Sequence, residues 1–540
     1  MMKGKVMAMI LSGALVFSTM STVAFATENI YGKNPEKTIV FNEDCTDFAG
    51  TRASEGINME NLTAWADQYV NTDIGALFVN TQAYTANFGG NVVETFWETS
   101  GKNSGMAKYA EAIYTANING LEFDRIRINL LRERGISPWV SLRMNDIHDS
   151  TTAGEEDTTA TFKKMHNYNI GSKSSGNESY CLDYNIPAVR TFAYAMVQDN
   201  IERYDVDGIE LDWMRECYAI NDDAYREETR VAINQLMRDI RKLLDYWEVE
   251  RGHEIKLAVR VPATIHVAEN SALDAKTWSA EKLVDLVTVT ARWSSADTDM
   301  PIEEWVKALK TDLGNNDIQI AAGLELLFRS NPYYAPKADS IDTATGMAYS
   351  YLSRGADCIY LFNHMDRGTK MSYCDTDYIP MLNQIGKISD MHGKVRRHVV
   401  TYRDKWASDE TPVYSLPATS STGSDVVNNV HVGNISGVKN NENYYVVLGA
   451  NQNLGGEGAG IIDAASDCTV TVNGTACAYV GKANDLREPT PASSELKFDL
   501  VKYSIPASAM QDGYNTVKIT CADGTTREIT WVEIYAEPKN

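Results

Sequence analysis

Short apolar strands alternate with helical stretches along most of the chain, and this alternation restricts the possible folds more than any other feature. Between about residues 36 and 400 the pattern predicts eight strands, which are Thr38–Asn42, Ile74–Asn80, Ser137–Met144, Gly208–Trp213, Ile255–Val261, Leu286–Arg292, Ile318–Leu324 and Cys358–Asn363. Apolar residues recur at helical spacing between several of them, as Ile233, Leu236 and Ile240 do. Eight β/α units of this size indicate a closed parallel (β/α)8 TIM barrel. A doubly wound open sheet is the alternative, although no glycine-rich dinucleotide turn follows the first strand.

After about residue 405 the pattern changes to short β-branched segments that are separated by Gly, Asn and Asp turns. Tyr444–Leu448, Cys468–Val472 and Thr516–Ile519 are examples, and no helical period competes with them. The region is therefore predicted to be a small all-β sandwich. We expect a barrel domain over residues 27–404 and a β-sandwich accessory domain over residues 405–540.

The first 26 residues have the three parts of a secretory signal peptide. Lys3 and Lys5 form a basic start, Val6–Phe17 is a short apolar run, and Ala24 and Ala26 frame a small-x-small cleavage site. The apolar run is too short to serve as a lasting membrane anchor. We expect cleavage near Ala26 and release of a secreted protein that has no membrane anchor.

The charge of the chain excludes some classes of partner. The formal net charge is −23 at pH 7. A surface this acidic repels phosphate backbones and anionic lipids, so nucleic acid and membranes are not expected as partners.

The eight cysteines include no CxxC pair. Cys468, Cys477 and Cys521 cluster in the C-terminal region, where one disulfide can form, and the sequence does not choose which pair forms it.

Polar side chains are predicted to converge at one end of the barrel. Alternate residues of a barrel strand point inward, and the C-terminal strand ends form the active-site face. The inward set is Asn80 on the second strand, Ser141, Arg143 and Asn145 on the third, Glu210 and Asp212 on the fourth, Arg260 on the fifth, Thr290 and Arg292 on the sixth, and Gly323 and Glu325 on the seventh. Buried charges are costly unless they pair or act. We expect a functional site here, and a purely structural ion-pair lattice is the alternative.

The fourth strand carries the most specific motif. It reads DVDGIELDWMR from Asp205 to Arg215, and it follows the segments Leu182–Tyr184 and Pro187–Arg190. These residues resemble the glycosyl-hydrolase-like family 10 proteins, in which a YDVDGIHxDxxR-type strand follows an LDxxxPxVR segment. The resemblance covers the barrel and implies a glycosidase acting on a carbohydrate substrate.

The same strand is similar to the DGxDxDxE strand of family 18 chitinases. Glu210 and Asp212 fall on the second and third acids of that motif, but Met214 replaces the proton-donating glutamate. A methionine cannot donate a proton. Chitinase chemistry of the usual kind is therefore not expected.

A third similarity is to the clan of retaining glycosidases with carboxylates on strands four and seven. It implies an acid/base on strand four and a nucleophile at Glu325, although the Asn-Glu pair typical of that clan's fourth strand is absent. Asp212 lies about 6–7 Å nearer the mouth than Glu210. We therefore expect Asp212 to touch substrate, and Glu210 to be a supporting acid held by Arg143 or Arg260.

The remaining candidates bind substrate in this interpretation. Aromatic side chains at strand ends stack on sugar rings, and Trp213 and Trp293 are in that position. The full predicted substrate-binding set is Asn80, Arg143, Asn145, Trp213, Arg260, Arg292, Trp293 and His364. No cofactor and no metal are expected.

The sequence thus predicts a secreted glycoside hydrolase that uses paired carboxylates drawn from Glu210, Asp212 and Glu325. One alternative is a non-catalytic glycan-binding barrel that has lost its acid, as Met214 suggests. The other is a metal-assisted carbohydrate deacylase using Asp146, His148 and His364.

Overall fold

A computed structural model of the chain describes residues 30, 36–44, 48–49, 55–82, 85–99, 107–146, 162, 168–170, 177–292, 295–333, 336–366, 374–405, 407, 410–451, 468–483 and 500–539. The predicted signal peptide, His148 and Trp293 lie outside these ranges.

A closed barrel of eight parallel strands forms the first part of the chain. Its strands are β1 (Ile39–Glu43), β2 (Ile74–Gln82), β3 (Ser137–Arg143), β4 (Gly208–Asp212), β5 (Lys256–Pro262), β6 (Leu286–Thr290), β7 (Gln319–Glu325) and β8 (Cys358–Phe362). Each strand pairs with its neighbours in chain order, and β8 pairs with β1 to close the ring. This confirms the predicted TIM barrel and excludes the open sheet.

One or more helices follow each barrel strand along the chain. They are α1 (Met59–Asp67), α2 (Phe96–Thr99), α3 (Ala107–Ile118), α4 (Phe123–Glu133), α5 (Pro187–Arg203), α6 (Arg226–Arg251), α7 (Ile265–Asn270), α8 (Ala275–Ala280), α9 (Ile302–Val306), α10 (Ile341–Ser353), α11 (Cys374–Leu382) and α12 (Ile388–Met391). In α6 the buried Ile233, Leu236 and Ile240 recur at helical spacing, and Gly252 ends the helix in the left-handed conformation. No helix in the described ranges is both long and apolar enough to cross a bilayer.

The two faces of the barrel strands differ as the alternation predicts. One apolar cluster fills the interior, and it contains Val40, Ala76, Phe78, Trp139, Ala258, Leu286, Ala321, Cys358, Tyr360 and Phe362. The alternate residues, such as Leu142, Leu211 and Val259, join the core between the strands and the helices. Above the apolar cluster, Arg143, Asp212 and Arg260 are register partners on neighbouring strands. The interior is therefore apolar below and charged toward the C-terminal ends of the strands.

Two antiparallel sheets form the second part of the chain, which confirms the predicted all-β domain. Its strands are β9 (Arg396–Val399), β10 (Ala418–Ser420), β11 (Val426–His431), β12 (Glu442–Asn451), β13 (Cys468–Val472), β14 (Thr475–Ala476), β15 (Ala478–Lys482), β16 (Val501–Ile505), β17 (Tyr514–Cys521) and β18 (Arg527–Pro538). One sheet has the order β9-β18-β12-β16-β15, with β10 also on β18, and the other has the order β11-β17-β13-β14. The predicted boundary after residue 404 stays a prediction, and β9 before it already pairs in the first sheet.

The first strand of the sandwich is held by two buried ion pairs. Arg396 donates to both oxygens of Glu442 on β12, at 2.8 and 2.6 Å. Arg397 donates to both oxygens of Glu533 on β18, at 2.9 and 2.8 Å. On the barrel side, Gly346 of α10 lies so close to the Arg397 carbonyl that a Cβ atom there would overlap it. The barrel helix and the sandwich strand therefore pack without space for a side chain.

We expect Gly346→Ala to lower the free energy of unfolding by about 1–3 kcal/mol, the range for overpacking. An alanine normally favours a helix over glycine by about 1 kcal/mol, so a loss indicates steric overlap with β9. Urea denaturation measures the change. Gly437→Ala is the control, because among the described residues, its chain neighbours aside, no atom lies within 4 Å of its Cβ position. Equal effects of the two substitutions would contradict the tight contact.

Candidate active site

Glu210 on β4 joins four strands inside the barrel. Its Oε1 atom accepts hydrogen bonds from Asn42 of β1 at 3.1 Å, Ser141 of β3 at 2.7 Å and Tyr360 of β8 at 2.9 Å. Its Oε2 atom is buried and has no hydrogen-bond partner among the described residues. One oxygen is thus saturated, and the other is left to offer or receive a proton.

Burial and the negative charge of Asp212 together raise the pKa of Glu210 to about 7, against the opposing effect of Arg260. The side chain is fully enclosed, so water does not stabilise its ionised form. The Glu210 carboxyl therefore holds its proton over a much wider pH range than an exposed glutamate does.

Asp212 forms a bidentate ion pair with Arg260 of β5. The Nε and Nη2 atoms of Arg260 donate to the two carboxylate oxygens, each at 2.9 Å. The backbone N–H groups of Met214 and Arg215 also donate to Oδ1, at 2.9 and 3.1 Å. Every oxygen of Asp212 is thus engaged, and the carboxylate fixes the turn that follows β4.

The other arginines at the mouth pair with acids outside the predicted carboxylate pair, namely Asp44, Asp146 and Glu216. Arg143 donates to Asp146 at 2.8 Å and to Asp44. Arg292 donates to Glu216 at 2.6 Å. Arg260, rather than Arg143, is the cation beside the β4 acids, and Glu210 is held by neutral donors instead of either arginine.

Glu325 ends β7, where the alternation predicts it. It is buried, and Asn363 donates to its two oxygens at 3.3 and 3.1 Å. Glu325 is the register partner of Phe362 on β8, and the guanidinium of Arg260 lies 3.8 Å from the centre of the Phe362 ring. Glu325 therefore ends its strand at the level of the Asp212–Arg260 ion pair.

Two of the predicted substrate-binding residues form hydrogen bonds to the protein backbone, and a third is buried. Asn145 donates to the Tyr218 carbonyl at 2.7 Å and accepts from the Leu182 N–H at 2.9 Å. Asn80 donates to the Ser141 carbonyl at 2.9 Å, while its Oδ1 atom has no partner in the described ranges. Trp213 is buried.

His364 follows the C-terminal end of β8 and forms a buried pair with Asp339. Its Nδ1 atom lies 3.0 Å from the Phe362 carbonyl, and its Nε2 atom lies 3.6 Å from Asp339 Oδ2. Burial raises the pKa of Asp339, and His364 opposes this increase.

The residues that the structure describes offer no set of ligands for the metal-dependent alternative. Within them, no group of three or more His, Cys, Asp and Glu side chains could hold a metal ion. Asp146 contacts Arg143 and His364 faces Asp339, so these two residues lie in different pairs. His148 is outside the described residues.

No family model and no curated protein matches the chain. Membership of glycosyl-hydrolase-like family 10 therefore stays a prediction.

Solved structures similar to the chain include several carbohydrate-active barrels. The PgaB (BpsB) glycoside hydrolase domain from Bordetella bronchiseptica matches with a TM-score of 0.37 and 10% identity, over 65% of this chain and 99% of that one. The group II chitinase catalytic domain 2 from Ostrinia furnacalis matches with a TM-score of 0.36 and 13% identity, over 64% and 94%. A cycloisomaltooligosaccharide glucanotransferase from Paenibacillus sp., complexed with cycloisomaltoheptaose, matches with a TM-score of 0.33 and 10% identity, over 93% of this chain but only 57% of its own length.

We expect Asp212→Asn to lower the free energy of unfolding by about 3–5 kcal/mol, because it leaves the buried Arg260 without its counterion. Arg260→Met alone is also destabilising, and the double variant loses less than the sum of the two changes. Urea denaturation of the four proteins gives the coupling energy.

The control is Asp317→Asn, which breaks the exposed Lys282–Asp317 ion pair and should cost no more than about 1 kcal/mol. Additive effects of the Asp212 and Arg260 substitutions would show that the ion pair does not couple them.

Proposed function

We propose that this chain is a secreted glycoside hydrolase in which Glu210 is the general acid and Glu325 is its ionised partner. A glycosidic bond is cleaved between one protonated and one ionised carboxyl group. The observation that carries the proposal is the environment of Glu210. Its buried Oε2 atom has no hydrogen-bond partner among the described residues, whereas the neighbouring Asp212 accepts hydrogen bonds on both of its oxygens.

The assignment of the acid follows from how the two β4 carboxyls differ. Both oxygens of Asp212 are occupied, because they accept from a guanidinium and two backbone N–H groups. Glu210 is enclosed beside that negative charge, and its pKa rises to about 7. A carboxyl group whose pKa is raised toward neutrality by burial is suited to act as a general acid. We therefore place Glu210 ahead of Asp212, the reverse of the order that depth along the strand favours.

Glu325 is the partner because it comes from β7, three strands around the barrel from β4. It ends β7, whereas Glu210 lies on β4, and parallel strands direct their C-terminal ends to one mouth. Asn363 donates hydrogen bonds to both of its oxygens. In this assignment Glu325 acts on the anomeric carbon or on a water molecule, and Glu210 protonates the leaving oxygen.

The burial of the two β4 acids favours a second function, a glycan-binding barrel without turnover. Both Glu210 and Asp212 are fully enclosed. Met214, at the position of the chitinase donor, packs in the hydrophobic core. A protein of this kind binds a polysaccharide but releases no reducing ends, and the kinetic test below separates the two functions.

Glu210→Gln is expected to slow hydrolysis of unactivated oligosaccharides by about 10²–10⁴-fold, the usual contribution of a general acid. It should spare nitrophenyl glycosides, because their leaving group needs little protonation. Glu325→Gln should abolish hydrolysis of both substrate types. Release of reducing ends and of nitrophenol across a panel of sugars measures the rates.

The matched control is Glu254→Gln, which changes a glutamate beside Lys256 at the opposite end of β5 and should leave both rates unchanged. Equal loss of both activities in Glu210→Gln would contradict its role as the acid. Binding without hydrolysis in the unchanged protein would support the non-catalytic barrel.

The pH dependence follows from the same group. As a general acid with a pKa of about 7, Glu210 must be protonated, so kcat/KM should fall as pH rises above about 7. Folded Glu210 also retains a proton that the unfolded chain releases above its ordinary pKa of 4.5. As the pH rises from about 4.5 to 7, the free energy of unfolding of the unchanged protein should therefore fall relative to that of Glu210→Gln. Parallel pH profiles of the two proteins would contradict a raised pKa.

A further inference from the structure

A cavity of 330 Å³ lies outside the barrel interior, at the junction of the barrel and the sandwich. On the barrel side it is lined by Asp297, Asp299 and Ser350 of the β6–α9 loop and α10. On the sandwich side the lining includes His398 of β9 and Asn428 of β11. Its volume is at the lower end of ligand cavities, about 300–1,000 Å³, which suits one sugar ring rather than a chain.

Two buried side chains of the lining have polar atoms that make no hydrogen bond. They are the Nε2 atom of His398 and the Nδ2 atom of Asn428, each without a partner in the part of the chain that the structure describes. His398 and Asn428 are 4% and 3% exposed. A buried polar group without a partner costs free energy, and the hydroxyl groups of a ligand can supply the missing bonds.

The charges around the cavity disfavour an anion. Asp297 is paired with Arg403, and Asp299 is paired with Arg354 at 2.8 Å. No lining cation is thus left without a carboxylate among the described residues. Asp299 also accepts a hydrogen bond from the Tyr514 hydroxyl at 2.7 Å. An anionic ligand would meet two carboxylates whose cations are already engaged.

The two imidazoles of the lining are neutral. Burial and the charge of Arg354 lower the pKa of His431 to about 4. Burial, Arg396 and His431 lower the pKa of His398 well below its ordinary value. A neutral imidazole offers one donor and one acceptor, so the lining has the mixed donors and acceptors that neutral hydroxyl groups need.

The rim of the cavity adds apolar surface. Tyr414, Val413 and Val427 are 47%, 54% and 53% exposed and belong to the lining. A tyrosine ring presents an apolar face with a polar end. Such a face can cover the C–H side of a sugar ring while its hydroxyl groups point into the cavity.

We propose that this cavity binds one neutral sugar residue of a glycan, as a carbohydrate subsite separate from the barrel mouth. The subsite does not require the barrel to be catalytic. It holds a glycan beside the barrel through the sandwich, and its loss leaves the chemistry at Glu210 in place.

The test uses the full chain with its histidines labelled at ¹³Cε1, which gives one NMR signal for each of the 8 imidazoles. The probes are methyl glucoside, methyl galactoside, N-acetylglucosamine and inorganic sulfate. At least one sugar should shift the His398 and His431 signals with a dissociation constant on the order of 1–10 mM, and sulfate should not. The proposal is overturned if sulfate alone shifts these signals, or if none of the four probes shifts them.

Matched variants test whether the sugar binds in this cavity. Val427→Trp obstructs the rim and should weaken sugar binding at least about tenfold. Val480→Trp makes the same change at a valine that is 57% exposed and is not part of the lining, so binding should persist. Tyr414→Ala is a second variant at the rim and should also weaken binding. Undiminished binding in Val427→Trp and Tyr414→Ala overturns the location. Binding that persists in Glu210→Gln separates this site from the barrel mouth.

An independent observation concerns two cysteines of the sandwich. Cys468 of β13 and Cys521 of β17 are register partners, and their Sγ atoms lie 3.5 Å apart. The Cys521 N–H donates to Ser420 Oγ rather than across the strand pair. Opposite residues of an antiparallel sheet that exchange no backbone hydrogen bonds have Cα atoms about 4.5 Å apart. This separation lies within the range that disulfides span. Cys477 lies beyond β14 and its Sγ atom contacts the Thr475 carbonyl.

We infer that Cys468 and Cys521, rather than Cys477, form a disulfide when the chain folds in an oxidising environment. The two thiols lose two protons and two electrons, and oxidised glutathione takes them up and leaves as two molecules of glutathione. The bond then joins β13 to β17 covalently.

The full chain is refolded from urea with reduced and oxidised glutathione, because both thiols are buried once it has folded. Peptide mapping under non-reducing conditions should recover the Cys468–Cys521 pair. Cys477→Ser should retain it, whereas Cys468→Ser should remove it and lower the Tm under the same conditions. A bridge to Cys477, or free thiols at both positions, overturns the inference.

Discussion

A carboxylate and a guanidinium enclosed in the same barrel are stable only as partners, and the ion pair of Asp212 with Arg260 organises the mouth around this requirement. The Asp212 carboxylate fixes the backbone turn after β4 through Met214 and Arg215. The guanidinium of Arg260 covers the Phe362 ring of β8. The charge of Asp212 also helps to keep Glu210 protonated. The turn after β4, the contact with Phe362 and part of the raised pKa of Glu210 are thus linked through Asp212 and Arg260.

The sequence predicts the fold well because the signals that define it are local. The two-residue period of the strands separates the interior residues from those that face the helices, and it correctly places Glu210, Asp212, Arg260 and Glu325 inside or at the ends of their strands. The same period, applied to β1 and β8, would have included Asn42 and Tyr360, the other donors to Glu210. What the period does not encode is the pairing of charges. Arg143 binds Asp44 and Asp146, and Arg260 binds Asp212, because barrel stagger and side-chain rotamers decide which groups meet.

The β4 motif differs from that of family 18 chitinases in where a proton donor can reside. The position of the chitinase donor holds Met214, which belongs to the core. In this chain the acid of the motif whose pKa is raised is Glu210. It lies two positions before Asp212, within β4 itself. If the barrel hydrolyses glycans, its acid is therefore part of the barrel wall, where three strands hold it, and is not carried on a loop.

The adjacent arginines of β9 have a consequence for how the chain can be divided. Arg396 and Arg397 find their carboxylates on β12 and β18, far along the chain, while α10 of the barrel packs directly against the backbone of Arg397. A truncated protein ending near residue 404 would keep both guanidinium groups and lose both carboxylates. It would leave two guanidinium groups without their counterions and would expose an unpaired strand edge, which favours aggregation. The barrel and the sandwich are thus expected to melt in a single cooperative transition, and recombinant expression should keep them together.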